Sequence, residues 1–296
     1  MTNKGLLVLV ATPIGNLEDL TQRAARIMAE ADLVVCEDTR RTGRLLSSAD
    51  IKARQLLAMH EHNEASQVEV VIARLKEGET VAMVSDAGLP GISDPGERLV
   101  QAAIQAGIDL SVVPGPSAGL AGLVISGLST ERFVFEGFLP RKGAERHGRI
   151  KELRSERRTI VLYEAPHRLV RTLSDLATVL GDDRRVALCR EITKLHEEVW
   201  RGDLQAALEH CGEVEPRGEY VLIIEGGPEP EPIDDEGLID AVQRSIDSGM
   251  SHRDAVAEVA ASHEVSKRHV YDVTLPSRSS SKAPSKALGD KGRERM

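Results

Sequence analysis

Aromatic residues are scarce in this 296-residue chain: one Trp, three Tyr and three Phe make up 2% of it. Its cores must be built from Val, Leu, Ile and Ala. Few rings remain for base stacking, so any contact with RNA must rest on charge, shape and backbone groups. Cysteine is rare as well. Cys36, Cys189 and Cys211 lie far apart with no CxxC pair, which argues against a zinc site or a disulfide framework and suits a reducing compartment. Long apolar runs are absent. The N-terminal stretch Leu6 to Ala11 is too short for a signal-peptide core or a membrane span, so a cytoplasmic location is expected. His60 and His62 stand two apart without an HExxH pattern or a matching carboxylate set, so no metal is expected.

What is present is an ordinary globular balance, 41% hydrophobic and 29% charged residues, in a length that suits about two domains. The formal net charge of −9 argues by itself against a nucleic-acid partner, but the charge is unevenly spread. Between Leu139 and Arg158, eight basic side chains (Arg141, Lys142, Arg146, Arg149, Lys151, Arg154, Arg157 and Arg158) face three acids and leave +5. The tail from Pro276 to Met296 carries +4.

Short apolar strands alternate with helical patterns. LLVLVA (Leu6–Ala11), LVVCE (Leu33–Glu37), VAMVS (Val81–Ser85) and LSVVP (Leu110–Pro114) read as strands. Helices are predicted from a cap at Asn16 to about Glu30, at about Glu64–Lys76, and at about Gly96–Ala106 with a cap near Asp94. Such alternation predicts a largely parallel sheet covered on both faces. A second α/β series begins near Phe133, with strands FVFEGF, TIVLYE, VALCRE and YVLIIEG and helices at about Lys142–Arg157, His167–Leu180 and Leu204–His210. The expected organisation is an N-terminal α/β domain over residues 1–116 and a second over 117–227. An acidic linker (228–237), a helix-turn-helix-like segment (238–275) and a disordered basic tail (276–296) follow.

The chemistry should sit in the loops at strand C-termini, where open α/β sheets place ligands. ATPIGNLEDL (Ala11–Leu20) follows the first strand; Gly15 permits a tight turn, but the loop is neither GxGxxG nor a P-loop and also fits a plain strand-to-helix turn. VAMVSDAGLPGISDPGERLV (Val81–Val100) delivers Ser85 and Asp86 into a loop of glycines and prolines. Its glycines bring backbone groups close to a ligand, and Asp86 could answer a cationic amino group or a sulfonium. VVPGPSAGLAGLVISGL (Val112–Leu128) bends at Pro114-Gly115-Pro116 and continues in small residues that suit close helix–sheet packing.

Together these loops resemble the tetrapyrrole methylase superfamily, whose members are class III methyltransferases. More closely they resemble its subfamily of ribosomal RNA small subunit methyltransferases I. The resemblance continues through ADLVVCEDTRRTGRLL, HEHNE (His60–Glu64), FEGFLPRKG, VLYEAPHRL, LCREITKLHEEVWRG and GEYVLIIEG. It implies an α/β, two-domain tetrapyrrole-methylase-like fold with a small C-terminal helical segment, and a homodimer. It also implies S-adenosylmethionine as cofactor in the cleft between domains, and methylation of the ribose 2′-hydroxyl of a decoding-centre cytidine in small-subunit (16S) rRNA.

Carried over by position, the resemblance places Ser85, Asp86, Ala87, Gly88 and Pro90 along the methionine moiety and Ser117 and Ala118 beneath the cofactor. Phe138, Leu139, Glu164, Ala165, Gly218 and Glu219 should cover the adenosine. Pro13, Gly15 and Asn16 should face the acceptor. Arg40, Arg41 and Arg44 on one helix start, Arg141 and Lys142, and Lys267 and Arg268 on the last helix are candidates for RNA contact, or else a solvated charged face. A ribose hydroxyl is a poor nucleophile, so a base or a cation should assist. Glu37, Asp38, His62, Glu164 and Lys194 are the candidates for an acceptor-side cluster, none singled out as the base. The alternatives are methylation of a tetrapyrrole ring carbon on the shared scaffold, or a non-enzymatic assembly factor with a relic pocket.

Overall fold

The computed structural model describes residues 5–60, 62–228, 233–263 and 265–275. The chain divides into two compact units, residues 1–227 and 228–296.

The first unit contains two five-stranded sheets. Strands β1 (Leu6–Val10), β2 (Leu33–Cys36), β3 (Leu56–Ala58), β4 (Thr80–Val84) and β5 (Asp109–Val113) form one, in the order β3-β2-β4-β1-β5. Every pairing in it is parallel. Helices α1 (Gln22–Glu30), α2 (Thr39–Ser48), α3 (Glu64–Lys76) and α4 (Glu97–Gln105) make the crossovers. Alternating strand residues serve opposite cores: Val8, Val10 and Val34 pack with Met28 on one face, while Leu7, Leu33 and Val35 pack with Val71 and Leu99 on the other. A strand buried on both faces must be apolar throughout, which is why these segments read as runs.

The second sheet uses β6 (Phe133–Phe138), β7 (Thr159–Glu164), β8 (Arg185–Arg190), β9 (Glu198–Asp203) and β10 (Tyr220–Ile224), in the order β6-β7-β10-β8-β9. Only β6 and β7 are parallel; the other three pairings are antiparallel. One face packs against α6 (Gly143–Glu152), α7 (Pro166–Leu180) and α8 (Leu204–Glu213). The other is covered by α5 (Ala118–Ser126) and by Ile14 from the loop after β1. Glycines make that approach possible: a Cβ at Gly122 would stand 3.2 Å from Val221, and one at Gly119 3.3 Å from the Tyr163 hydroxyl.

Several boundaries differ from the sequence expectation. The helix expected from Asn16 is split: Asn16 caps a 3-10 turn over Leu17–Asp19, Leu20 is extended, and Thr21 caps α1 through Ala24 N. Asp94 caps nothing, because Gly96 (φ +129°) forms the entry to α4. Helix α6 stops at Glu152 and gives way to a 3-10 turn at Leu153–Ser155. Strands β3 and β9 were not expected; one is only three residues long, and the other, EVWRGD, is polar because it lies at a sheet edge.

The second unit is a three-helix assembly of α9 (Asp235–Asp247), α10 (His252–Ser262) and α11 (Lys267–Thr274). Asp234, Ser251 and Ser266 cap them in turn, each answering an N–H that a helix start leaves unpaired. Leu238, Val242, Ala255, Val259 and Val270 form the core. Helix α9 takes up the last three positions of the stretch expected as linker, while residues 229–232 and the basic tail 276–296 lie outside the described residues. Among the described residues no helix is long and apolar enough to cross a membrane.

Candidate functional site

Three loops meet at the C-terminal edge of the parallel sheet. Thr12 and Gly88 exchange backbone hydrogen bonds (2.9 and 3.1 Å), and Thr12 Oγ1 donates to Ser85 O (3.2 Å). Ser85, itself buried, donates from Oγ to Gly88 O (3.0 Å). Gly88 sits at φ +83°, where a Cβ would lie 3.4 Å from both Ile14 and Pro116 O. A side chain at this backbone angle is strained, so the glycine loop expected to hold a ligand is tied to both neighbouring loops. Its far end is anchored by the nearly buried Glu64, whose Oε1 accepts from Gly96 N (3.0 Å).

The second sheet's lobe meets this edge at Gly137 and at Gly15, and Tyr163 holds the start of α5 to the sheet. Gly137 (φ +59°) faces Ser93, whose Oγ would be 3.0 Å from a Cβ there. Gly119 N donates to the Tyr163 hydroxyl (3.1 Å), and Tyr163 is flanked edge-on by Phe135 and Phe138. At Gly15, a Cβ would overlap Lys194 Cγ and stand 2.9 Å from Thr193 Oγ1.

Carboxylates collect inside. Asp86 pairs with Arg41 through Oδ2 (3.1 Å), but its Oδ1 is buried without a hydrogen-bond partner. Burial raises the Glu37 pKa above the ordinary carboxylate value, with the Asp86 charge adding to the effect. Burial likewise lifts Asp94 to about 6, helped by repulsion from Glu37 and Asp86. Like charges held together in a partly dry site resist ionisation, and a cation placed among them would relieve the strain. Asp38 behaves oppositely: its hydrogen bonds with Arg40 draw it down to about 2.

The five acceptor-side candidates do not form one cluster. Glu37 joins Asp86 and Asp94, whereas Asp38 caps α2 and holds Arg40. His62 is exposed; His60, not His62, contributes to the field at Glu37. Glu164 is buried in the second lobe, accepting from Thr172 Oγ1 (2.6 Å) and Ala165 N (2.9 Å) and pairing with Arg168 (3.2 Å). Those three donors hold its carboxylate within the second lobe. Lys194 is bound to Glu191 and Glu219, both at 2.8 Å.

The residues expected over the adenosine line the second lobe's rim. Phe138 is about half exposed (51%) and Leu139 is buried. Arg168 Nη2 donates to Leu139 O (2.6 Å) and Arg146 Nη1 to Pro140 O (3.1 Å). Ala165 is the N-cap of α7, and Gly218 has φ +78°. Ser117 caps α5 without a side-chain bond to it, followed by Ala118. Around Ser85 and Gly88, Ala87 is exposed and Pro90 is buried.

The basic run is less of an RNA track than its +5 suggests. Arg146 is 1% exposed and bonded to Asp175 and Thr172, Arg149 pairs with Glu136 and Glu152, and Arg158 with Glu156. Arg141 and Lys142 stay exposed, as does Arg44 on α2. In the second unit Lys267 and Arg268 are exposed, but His269 is turned to Asp235 (2.8 Å).

Sequence reasoning missed Asp94, Glu191 and Tyr163 as parts of the site. Asp94 was legible only as a helix cap, and nothing local reveals that Glu191 (φ +50°) and Thr193 (φ +68°) both adopt left-handed backbone angles. Such angles cost non-glycine residues roughly 1–2 kcal/mol each, and such strain concentrates at functional sites.

A parallel sheet whose C-terminal loops gather carboxylates, met by a second, mixed sheet, is the architecture of one methylase class. The chain belongs to the Tetrapyrrole (Corrin/Porphyrin) Methylases, whose family model matches residues 6–208. It is 45% identical to Ribosomal RNA small subunit methyltransferase I of Synechocystis sp. over 92% of this chain and 98% of that one. It is 43% identical to the protein of that name from Mycobacterium tuberculosis, over 95% of this chain and 99% of that one. The Thermotoga maritima protein of that name is 46% identical, but all but 1% of its length is matched by 75% of this chain. Among solved structures, uroporphyrin-III-C-methyltransferase from Thermus thermophilus superposes with a TM-score of 0.52 at 24% identity, covering 75% of this chain and 94% of that one. A cobalt precorrin-4 methyltransferase gives 0.54 at 16% identity, covering 75% and 95%. These two likenesses concern the fold alone.

Proposed function

We propose that this chain is an S-adenosylmethionine-dependent methyltransferase that modifies 16S rRNA of the small ribosomal subunit, at the ribose 2′-hydroxyl of a cytidine. The near full-length likeness to rRNA methyltransferases at 43–45% identity carries the choice of RNA over a tetrapyrrole. The site fits the cofactor: the unpartnered, buried Asp86 Oδ1 and the acids around it form a receptor for a ligand bearing ammonium and sulfonium charges.

When bound, the cofactor supplies a methyl group made electrophilic by the positive charge on sulfur. Residues Ser85–Pro90 would lie along its methionine part, and Ser117 and Ala118 beneath it. Phe138, Leu139, Ala165, Gly218 and Glu219 would cover its adenosine, with Glu164 acting from behind by holding the start of α7. The turn at Pro13–Asn16 would take the acceptor. Positioning supplies most of the rate in such a transfer. Between Glu37 and Asp38, Glu37 is the better suited to receive the hydroxyl proton, because its raised pKa makes it the stronger base. Lys194, paired with two carboxylates, serves as a cation and not as a base.

The protein works as a homodimer. Leu120 (50%) and Val124 (73%) on α5 are exposed, as are Leu110 and Val112 on the edge strand β5, and apolar surface of this kind is what a second copy covers. Arg40, Arg41, Arg44, Arg141, Lys142, Lys267 and Arg268 supply phosphate contacts. The deciding experiment is transfer of labelled methyl from S-adenosylmethionine to immature small subunits or to a porphyrinoid precursor, with ribose methylation mapped in the RNA product. Labelling of the porphyrinoid alone would reverse the assignment, and failure to bind the cofactor in calorimetry would favour a non-enzymatic assembly factor.

A further inference from the structure

The loop after β8 is built with unusual constraint around one ammonium group. Glu191 takes a left-handed backbone angle (φ +50°), and its N–H donates to Glu219 O (2.9 Å). Its carboxylate oxygen Oε1 then accepts from Glu219 N (2.9 Å) and from Lys194 Nζ (2.8 Å). Gly218 leaves room for it: a Cβ there would stand 2.6 Å from the Glu191 carboxylate. On the other side, Glu219 Oε2 accepts from Lys194 Nζ at 2.8 Å. The turn is closed further by Lys194 N to Glu191 O (2.9 Å) and by Thr193 N to Glu197 Oε2 (2.6 Å). The lysine stem then crosses Gly15 so closely that no side chain fits there.

An ammonium group has three N–H donors. Two are taken by the carboxylates, and one remains, on a side chain that is still 27% exposed. Beside it Thr193 Oγ1 is buried without a hydrogen-bond partner, next to the same glycine. Two left-handed residues, a glycine on each side and an unsatisfied hydroxyl converge on one point beside the Gly15 turn.

We propose that Glu191 is a positioning residue for methyl transfer, its carboxylate fixing the Lys194 ammonium over the Gly15 turn so that the remaining N–H meets the acceptor oxygen. This deepens the reading given under Proposed function and rests on it. As the acceptor oxygen bonds to the methyl carbon, the carbon–sulfur bond breaks with its electron pair left on sulfur, and the hydroxyl proton passes to a carboxylate. Negative charge gathers on the oxygen in between, and a preorganised cation stabilises it there. Burial opposes the charge on Lys194, but its hydrogen bonds to Glu191 and Glu219 outweigh this and raise its pKa above the ordinary lysine value. The group therefore stays charged through the working pH range.

The test is a double-mutant cycle in the full chain with Glu191→Gln, Lys194→Met and the pair. Glu191→Gln should lower kcat about tenfold, with KM for immature subunits and the cofactor Kd nearly unchanged. In the Lys194→Met background the same change should cost nothing more, because its effect runs through the lysine. Independently of turnover, 13Cε and 15Nζ NMR of the ligand-free protein carrying isotope-labelled lysine would follow the unmodified Lys194 side chain through a pH titration. Its midpoint should fall in Glu191→Gln and in Glu219→Gln. Multiplying effects in the cycle, a loss confined to KM for RNA, or an unmoved Lys194 midpoint would each overturn the proposal. A wild-type protein that labels no ribosomal RNA would instead sink the functional reading and leave the clamp to be judged by the titration.

Discussion

Lys194 lies across Gly15, joining the second lobe's β8–β9 loop to the first loop of the parallel sheet. The two residues are far apart in sequence, and neither the turn nor the lysine is complete without the other. Gly15→Ala should push the lysine stem aside. Methyl transfer to small-subunit RNA is expected to fall at least about tenfold, since small misplacements of reacting groups are costly. Cofactor affinity measured by calorimetry should stay within about twofold of wild type, because the methionine-side loop is untouched. A matching loss of cofactor affinity would mean that Gly15 serves the cofactor side.

Asp94 should make both stability and cofactor binding depend on pH. Its folded pKa of about 6 lies above the ordinary aspartate value. The native state therefore holds the proton more tightly, and the associated stability is lost as pH rises towards and through 6. Asp94→Asn should leave Tm close to wild type near pH 4 and raise it relative to wild type by pH 7.5. A cationic ligand favours the ionised acid, so cofactor affinity should strengthen between pH 5 and 7.5 in wild type and change less in the variant. A Tm difference that does not vary with pH would contradict the assignment.

The buried guanidinium of Arg146 should be needed for the second lobe's stability and for the shape of its rim. Replacing it with Met leaves Asp175 with only the longer pairing to Arg171 (3.8 Å) and frees Pro140 O. The expected loss is about 3 kcal/mol, near the low end for breaking a buried pair, since Asp175 keeps some solvent contact. Urea unfolding measures it. Arg141→Met, on the exposed part of the same run, should leave the urea midpoint nearly unchanged. Equal midpoints for both variants would count against this reading of the run.

The last helix should contribute phosphate contacts without touching chemistry. Lys267→Glu with Arg268→Glu should weaken binding to immature subunits and reduce the slope of log affinity against log salt by about 1–2. Cofactor Kd should not move. Val270 remains packed in the core of the helical unit, so circular dichroism should show the fold retained. An unchanged salt slope would leave α11 as a packing element only.

The strand-and-helix alternation was legible because the central strands β1, β2 and β4 are covered on both faces and so must be apolar along their length. Loop positions followed, since ligand-binding loops of such sheets sit at strand C-termini. Helix starts were less legible. Asn16 looks like the cap of α1, yet it caps a single 3-10 turn, and Asp94 looks like the cap of α4 although Gly96 makes that entry. Local sequence offers the same capping chemistry in each case, and tertiary contacts decide between them. Strand β9 was hidden because an edge strand can be polar. Counting charges misled at Arg146, because a sequence does not show that Thr172 and Asp175 on another helix will enclose it.

The chain's own order of apolar runs, glycines and prolines determined that there would be a parallel sheet with three permissive loops at one edge, and the resemblance of those loops to the tetrapyrrole methylases pointed to a methylase. Only the folded structure decided which charges meet there. It set Asp94 beside Glu37 and Asp86, removed Glu164 to a buried ion pair, and laid Lys194 between Glu191 and Glu219 over Gly15. Backbone patterns follow from neighbours along the chain, whereas the field at a carboxylate is made by groups many residues away, which only packing brings within a few ångströms.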